Sequence, residues 1–206
     1  MLQNEIDKFS WYQTVNFWDG IKSRGIPYCG DPAWGNILTF LPENLNNKRI
    51  LDLGCNAGIF CIRSILMGAR ECVGVDSNNW KKDDYLGQAR LVKDLFEEKY
   101  DREFNIEYIE SRMKEYLIKE IGIFDYCFAI ASLYYAKDSE LVVRRISETC
   151  KNVIVRLRDA DRIQKFTNLF EINGYTLCES MREEWDKKLG IPANDFYLYH
   201  YVKTIL

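Results

Sequence analysis

Apolar and polar positions change their period along this chain, and the changes mark out its elements. From residue 49 onward, short apolar runs alternate with stretches of helical spacing. The runs lie at Arg49–Leu53, Glu71–Val75, Asn105–Ile109, Phe124–Ala131 and Asn152–Leu157. They are β-branched or aromatic and bounded by Gly, Asp, Asn or Ser, which predicts buried strands. Between the first two, Ile59, Ile62, Leu66 and Met67 fall on one helix face, and Gly68 is a natural stop. Leu86, Ala89, Val92, Leu95 and Phe96 form a second stripe. Met113, Tyr116 and Leu117 form a third, and Leu141, Val142 and Ile146 a fourth. Ile163, Phe166, Leu169 and Phe170 give the last, ending near Gly174.

Strands alternating with helices predict an α/β fold, a mostly parallel sheet with helices on both faces. Tyr175–Met181 and Phe196–Lys203 read as two further strands with no helix between them, an antiparallel pair at one side of a seven-stranded sheet. Their link, residues 182–195, is charged, carries Gly190 and Pro192, and predicts a mobile loop. Residues 1–48 break the pattern. They hold Trp11, Tyr12, Phe17, Trp18 and Trp34, punctuated by Gly25, Pro27, Gly30, Pro32 and Gly35. This predicts an aromatic N-terminal cap packed over one edge of the sheet, with residues 49–206 as the main domain.

Composition narrows the class. With 206 residues, 47% hydrophobic and 29% charged, the chain suits one globular domain and needs no disulfide or structural metal. No apolar run approaches the ~20 residues of a membrane span. The start, MLQNEIDKFSWYQ, has no basic region and no apolar h-region, so a cytoplasmic location is expected. A net charge of −3 argues against sequence-blind nucleic-acid binding. Cys29, Cys55, Cys61, Cys72, Cys127, Cys150 and Cys178 are scattered without a CxxC, the pattern of reduced thiols. His200 is the only histidine, and no metal-ligand spacing occurs, so no metal site is expected.

The chemistry concentrates in ILDLGCNAG at 50–58. A strand runs through Asp52 into Gly54, then Gly58, then an amphipathic helix. Such a turn allows close backbone approach to a ligand at the carboxyl end of a strand. A dinucleotide fingerprint needs G-x-G-x-x-G, and here the second and third positions are Asn56 and Ile59. No GK[ST] follows, which excludes a P-loop. Asp76 ends the second strand in GVDS, where a carboxylate can take both hydroxyls of a ribose.

ILDLGCNAG, GVDS at 74–77 and the fourth strand FDYCFAIASLYYA at 124–136 together resemble a class I S-adenosylmethionine (SAM)-dependent methyltransferase. The resemblance covers residues 49 to about 203 and implies a Rossmann-like methyltransferase fold with SAM as cofactor and S-adenosylhomocysteine (SAH) as product. It implies that Asp52 and the backbone of Gly54, Cys55 and Gly58 surround the methionine part. Asp76 would hold the ribose, with Ser77 or Asn78 flanking the adenine. Glu110, Ser111, Arg112 and Met113 match the family's adenine contacts, and Ala131, Ser132 and Tyr134 would lie near donor and acceptor. The lead-in WYQTVNFWDGIKSRGI resembles that of methyltransferases related to the tRNA wobble-uridine carboxymethyltransferases, with Gln13 in place of their histidine. Related sequences carry L-Y-H after the fourth strand, where this chain has Leu133, Tyr134 and Tyr135. The N/D-P-P-[YF] motif of amino-group methyltransferases is absent.

A general base helps if the acceptor is a hydroxyl, and the candidates are Tyr135, Asp138 and His200. A neutral phenol is a poor base near pH 7, so Tyr134 and Tyr135 also read as aromatic pocket lining. Asp138 also reads as a helix cap, and His200 as an ordinary strand residue. Arg156 and Arg158 share a strand face, with Arg162 following. Guanidinium groups there suit a phosphate or carboxylate on the acceptor, and they also read as a solvated surface with Asp159 and Asp161 as ion-pair partners. Trp34 and Tyr12 are candidate substrate contacts, stacking on a base or lining a lid. The reading is a methyltransferase acting on a small molecule such as an anionic sugar, a nucleotide-linked compound or a secondary metabolite, with O-methylation favoured. A tRNA-modifying enzyme and a non-catalytic SAM-binding module are the alternatives.

Overall fold

The computed structural model describes residues 2–77, 84–183 and 196–204. The N-terminal region runs through α1 (Leu2–Ile6), β1 (Gln13–Thr14), β2 (Ile26–Gly30) and α2 (Asp31–Ile37). Then come β3 (Arg49–Leu53), α3 (Ile59–Leu66), β4 (Glu71–Asp76), α4 (Tyr85–Tyr100), β5 (Ile106–Glu110), α5 (Met113–Leu117), β6 (Phe124–Ile130), α6 (Ser139–Thr149), β7 (Cys150–Arg158) and α7 (Ala160–Ile172). The last strands are β8 (Tyr175–Glu183) and β9 (Phe196–Lys203).

β3 to β9 form one sheet in the order β5-β4-β3-β6-β7-β9-β8. The pairs among β3 to β7 are parallel, while β9 runs antiparallel to both β7 and β8. The seven strands and the antiparallel end agree with the apolar pattern. Continuous burial explains why the strands read as unbroken apolar runs: Ile50 to Leu53 and Cys72 to Val75 are covered on both faces. The strand order reverses between β3 and β6, and ligands of open α/β sheets bind at the carboxyl ends beside such a reversal.

Two hydrophobic layers flank the sheet. One, against α5, α6 and α7, is led by Leu51, Leu53, Val143, Ile146 and Phe170. The other lies against α3 and α4, and the N-terminal region supplies much of it through Ile6, Trp11, Val15, Trp34, Ile37 and Phe40. Trp34 reaches the sheet itself, stacked on Phe60 of α3 and edge-on to Phe128 of β6. Asp31 ties this region down: it accepts from the Asn16 N–H at 2.6 Å and grips Arg63 of α3 at 2.6 and 2.8 Å.

The region before residue 49 therefore packs into one face of the sheet, not only over its edge. Its β1–β2 pairing is parallel, an arrangement that the two-residue β1 gives no periodicity to reveal. The expected loop falls on residues 184–195, which lie outside the described residues. Six cysteines are buried and Cys178 is exposed. No helix among the described residues is long and apolar enough to cross a membrane.

Candidate active site

The loop after β3 is shaped by backbone. Gly54 and Gly58 adopt φ of 83° and 71°, the left-handed region that a side chain disfavours. Space is also lacking. A Cβ on Gly54 would sit 2.5 Å from the Ser132 Cβ, and one on Gly58 would strike the Tyr108 ring. The Asn56 N–H at the turn donates to Asp76 Oδ2 at 3.0 Å, joining the loop to the end of β4. The Ser111 N–H donates to the Asp76 carbonyl at 2.9 Å, which brings in the end of β5. Beside them an open cleft of about 400 Å³ is lined by Ser77, Glu110, Ser111, Arg112 and Glu115.

Beneath the loop lies Asp52, 1% exposed, with Oδ1 lacking a hydrogen-bond partner and Oδ2 4.0 Å from the Cys61 thiol. Burial, and then the charge of Asp76, push its carboxyl up to about 8. Cys55 turns its side chain inward, and burial pushes its thiol well up, so it is a packing group.

The carboxyl ends of β6 and β7 form the second half. Ala131 leaves β6 with φ 57° and donates its N–H to the Arg156 carbonyl at 3.2 Å. Ser132 Oγ donates to the Leu53 carbonyl at 2.5 Å, locking this exit against the Gly54 loop. A short 3-10 turn then presents Tyr134 and Tyr135, with ring centroids 4.6 Å apart. The guanidinium carbons of Arg158 and Arg162 lie 5.6 and 4.8 Å from the Tyr134 ring centroid. Asp159 bridges them, with Oδ2 at 3.9 Å from Arg158 Nε and 3.5 Å from an Arg162 terminal nitrogen. Burial pushes the Tyr134 and Tyr12 phenols up. The N-terminal region reaches the end of β7 as well: the Cys29 thiol lies 3.9 Å from an Arg156 terminal nitrogen, and the Tyr28 ring centroid 5.8 Å from the Arg156 guanidinium carbon.

Four expected site residues are placed elsewhere. His200 stands opposite Ile154 in mid-sheet and contacts the Asn152 side chain at 3.2 Å, near the start of β7 and away from the carboxyl ends. It packs by Phe40 and Tyr126, and burial lowers its pKa. Asp138 stands at the N-cap position of α6 without a side-chain cap bond and faces Lys114 at 2.8 Å, which holds its carboxyl below the usual range. Trp34 is core. Arg156 is 1% exposed and bonded to Glu183 Oε2 at 2.6 Å, with Phe196 4.0 Å from its guanidinium carbon. A buried guanidinium paired with a buried carboxylate organises the core. Tyr135 is 55% exposed at the rim. Asn78 lies outside the described residues.

Over residues 31–187 the sequence matches the methyltransferase domain family. The chain belongs to that family. Among curated proteins, this methyltransferase domain is 32% identical over 117 residues to a tRNA U34 carboxymethyltransferase of Alcanivorax borkumensis, across 55% of this chain and 33% of the relative. It is 30% identical over 107 residues to the enzyme of that name from Actinobacillus succinogenes, across 52% of this chain and 30% of the relative. The chain thus spans about a third of the length of these relatives. An S-adenosylmethionine dependent methyltransferase from Mesorhizobium loti superposes with a TM-score of 0.63 at 16% identity, covering 84% of this chain and 99% of the other. The N-terminal domain of EvdMO1, crystallised with SAH bound, gives 0.69 at 12% identity, covering 99% and 96%. At these identities the superpositions show the fold, that of SAM-dependent methyltransferases.

The residues present fit SAM. Asp76, at the end of β4 and joined to the Gly54–Gly58 loop through the Asn56 N–H, would supply the acid for a ribose diol, with the methionine part beside the loop. The polar cleft beside Ser77 and Ser111 suits an adenine. Tyr108 is the participant that sequence reading missed. Its hydroxyl donates to the Gly58 carbonyl at 3.2 Å, and its ring fills the space opposite Gly74, where a Cβ would lie 2.7 Å away. The glycine in GVDS was the available signal, since an unexplained glycine in a buried strand marks a close neighbour.

Proposed function

We propose that this methyltransferase domain transfers the methyl group of SAM to an oxygen of a small, anionic acceptor. The observation that carries the reading is the Arg158–Arg162 guanidinium pair over Tyr134, next to the exit of β6 that Ser132 locks to the donor loop. Bound SAM supplies a methyl group already activated on a sulfonium, so the protein contributes mainly position and exclusion of water. Asp76 and the glycine loop orient the donor side. Arg158 and Arg162 attract the acceptor's negative group, and guanidinium forks suit carboxylate or phosphate oxygens. Tyr134 forms the wall between them, and Tyr12 the rim.

Calorimetry with SAM and SAH tests the first half of this reading, and transfer of labelled methyl into small molecules retained by anion exchange tests the second. Micromolar binding and label in the anionic fraction are expected. Absence of binding to either compound overturns the enzyme reading. A second reading, tRNA as acceptor, draws support from the names of the curated relatives and from the exposed rings of Tyr12 and Tyr135, since exposed aromatics stack on bases. Lack of a tRNA complex at low salt removes it.

A further inference from the structure

We infer that the acceptor group is a carboxylate and that the product is a methyl ester. This rests on the methyltransferase reading above and adds the chemical class of the accepting atom.

Two independent observations lead there. The first is charge. Arg158 and Arg162 share the single carboxylate of Asp159, and their side chains are 35% and 41% exposed, so they stay within reach of an incoming anion. Asp159 already shows that a carboxylate fits between these two guanidinium groups. Arg156 cannot compete, because it is sequestered with Glu183.

The second is the want of a base among the described residues of this corner. A hydroxyl acceptor gives up a proton during transfer, and a positioned base that takes it speeds the step. Around this corner burial shifts the Tyr12, Tyr134 and Cys29 side chains upward from their ordinary values. His200 is on the far part of the sheet, Asp138 is turned to Lys114, and Asp159 is held by two cations. None of these described side chains offers a free basic atom. A carboxylic acid, with a pKa near ~4, reaches the site already ionised at neutral pH and needs none.

The step balances. One acceptor oxygen accepts from a guanidinium while the other keeps its lone pair for attack. A carbon–oxygen bond forms as the carbon–sulfur bond of SAM breaks, and the electron pair of that bond stays on sulfur. The carboxylate's negative charge and the sulfonium's positive charge cancel, and no proton moves.

The test uses the intact chain, methyl-labelled SAM and a pooled extract of cellular small molecules, with SAH binding measured in parallel. Methyl esters release volatile methanol in mild alkali, whereas ethers and N-methyl groups do not. The expected result is alkali-labile label, formed at a rate that stays flat between pH 6 and pH 9. Arg158→Gln and Arg162→Gln should each lower transfer about tenfold, the weight of one charge-assisted hydrogen bond, with SAH affinity unchanged. Alkali-stable label overturns the inference. So does intact SAH binding with no label at all. Loss of SAH binding by the wild-type chain would instead overturn the underlying methyltransferase reading.

Discussion

The proposed donor side and the proposed acceptor side of this site are built from different material. On the donor side the geometry is main chain: two left-handed glycines, a turn N–H on Asp76 and a Ser111 N–H on the Asp76 carbonyl. Its residues lie mainly on two consecutive strands, β3 and β4, and the loop between β3 and α3. On the acceptor side the geometry is side chain. Tyr12 and Cys29 come from the N-terminal region, Tyr134 follows β6, Arg156 and Arg158 end β7, and Arg162 opens α7. A backbone cradle binds what every member of a family shares. A convergence of distant side chains can be changed residue by residue without disturbing that cradle.

If the halves are separable, substitutions should affect one and spare the other. The largest effect is expected on the donor side. Asp76→Ala should weaken SAH binding about 100-fold or more in calorimetry, since two hydrogen bonds to a charged group are lost, and lower the melting temperature modestly through loss of the Asn56 N–H bond. An unchanged affinity would place the ribose elsewhere.

Next comes the scaffold of the acceptor side. Glu183→Gln leaves the Arg156 charge buried without its carboxylate. Breaking such a pair costs about 3 kcal/mol or more, which urea unfolding would read as a lowered midpoint. SAH affinity of the folded variant should stay at the wild-type value. If affinity falls in step with stability, the two halves are coupled and the contrast fails.

Asp52 gives a smaller, pH-dependent effect. Its carboxyl titrates near 8 in the fold against about 4 in an unfolded chain, so the folded state holds the proton longer. Asp52 therefore lowers stability as pH rises from about 4 to 8, and its full penalty is reached above 8. Asp52→Asn removes that term. The melting-temperature difference between variant and wild type should move in the variant's favour from pH 5 to pH 8.5. A difference that is flat across this range would mean that Asp52 is ionised throughout.

The smallest effect is expected at His200. His200→Gln should leave kcat within about twofold, because the ring packs by Phe40 and Tyr126 and touches no part of the site. A loss of a hundredfold would restore it as a base and break the carboxylate inference with it.

Legibility in the sequence followed the same division. The donor half could be read because strand, glycine turn, helix and acidic strand end are close together along the chain. β3 and β9 have the bounds that the apolar pattern predicts, and the bounds of β4 differ by one residue. Trp34 misled because an aromatic in a turn-rich segment looks like a rim residue, whereas α2 turns it onto Phe60. Arg156 misled because face alternation on β7 says that it shares a side with Arg158, but not that Glu183 waits there 27 residues later. His200 misled because residue type suggested a role that position along the strand denies.

By itself the sequence determined the order of strands and helices, the glycine loop and the acid that closes the donor site. Those depend on local periodicity and on backbone preferences, which act over a few residues. Only the tertiary structure decided which arginine is sealed with Glu183 and which two stand over Tyr134. It also decided that the N-terminal aromatics form core and rim together. Burial and pairing between residues far apart in the chain depend on packing, and no spacing in the sequence encodes them.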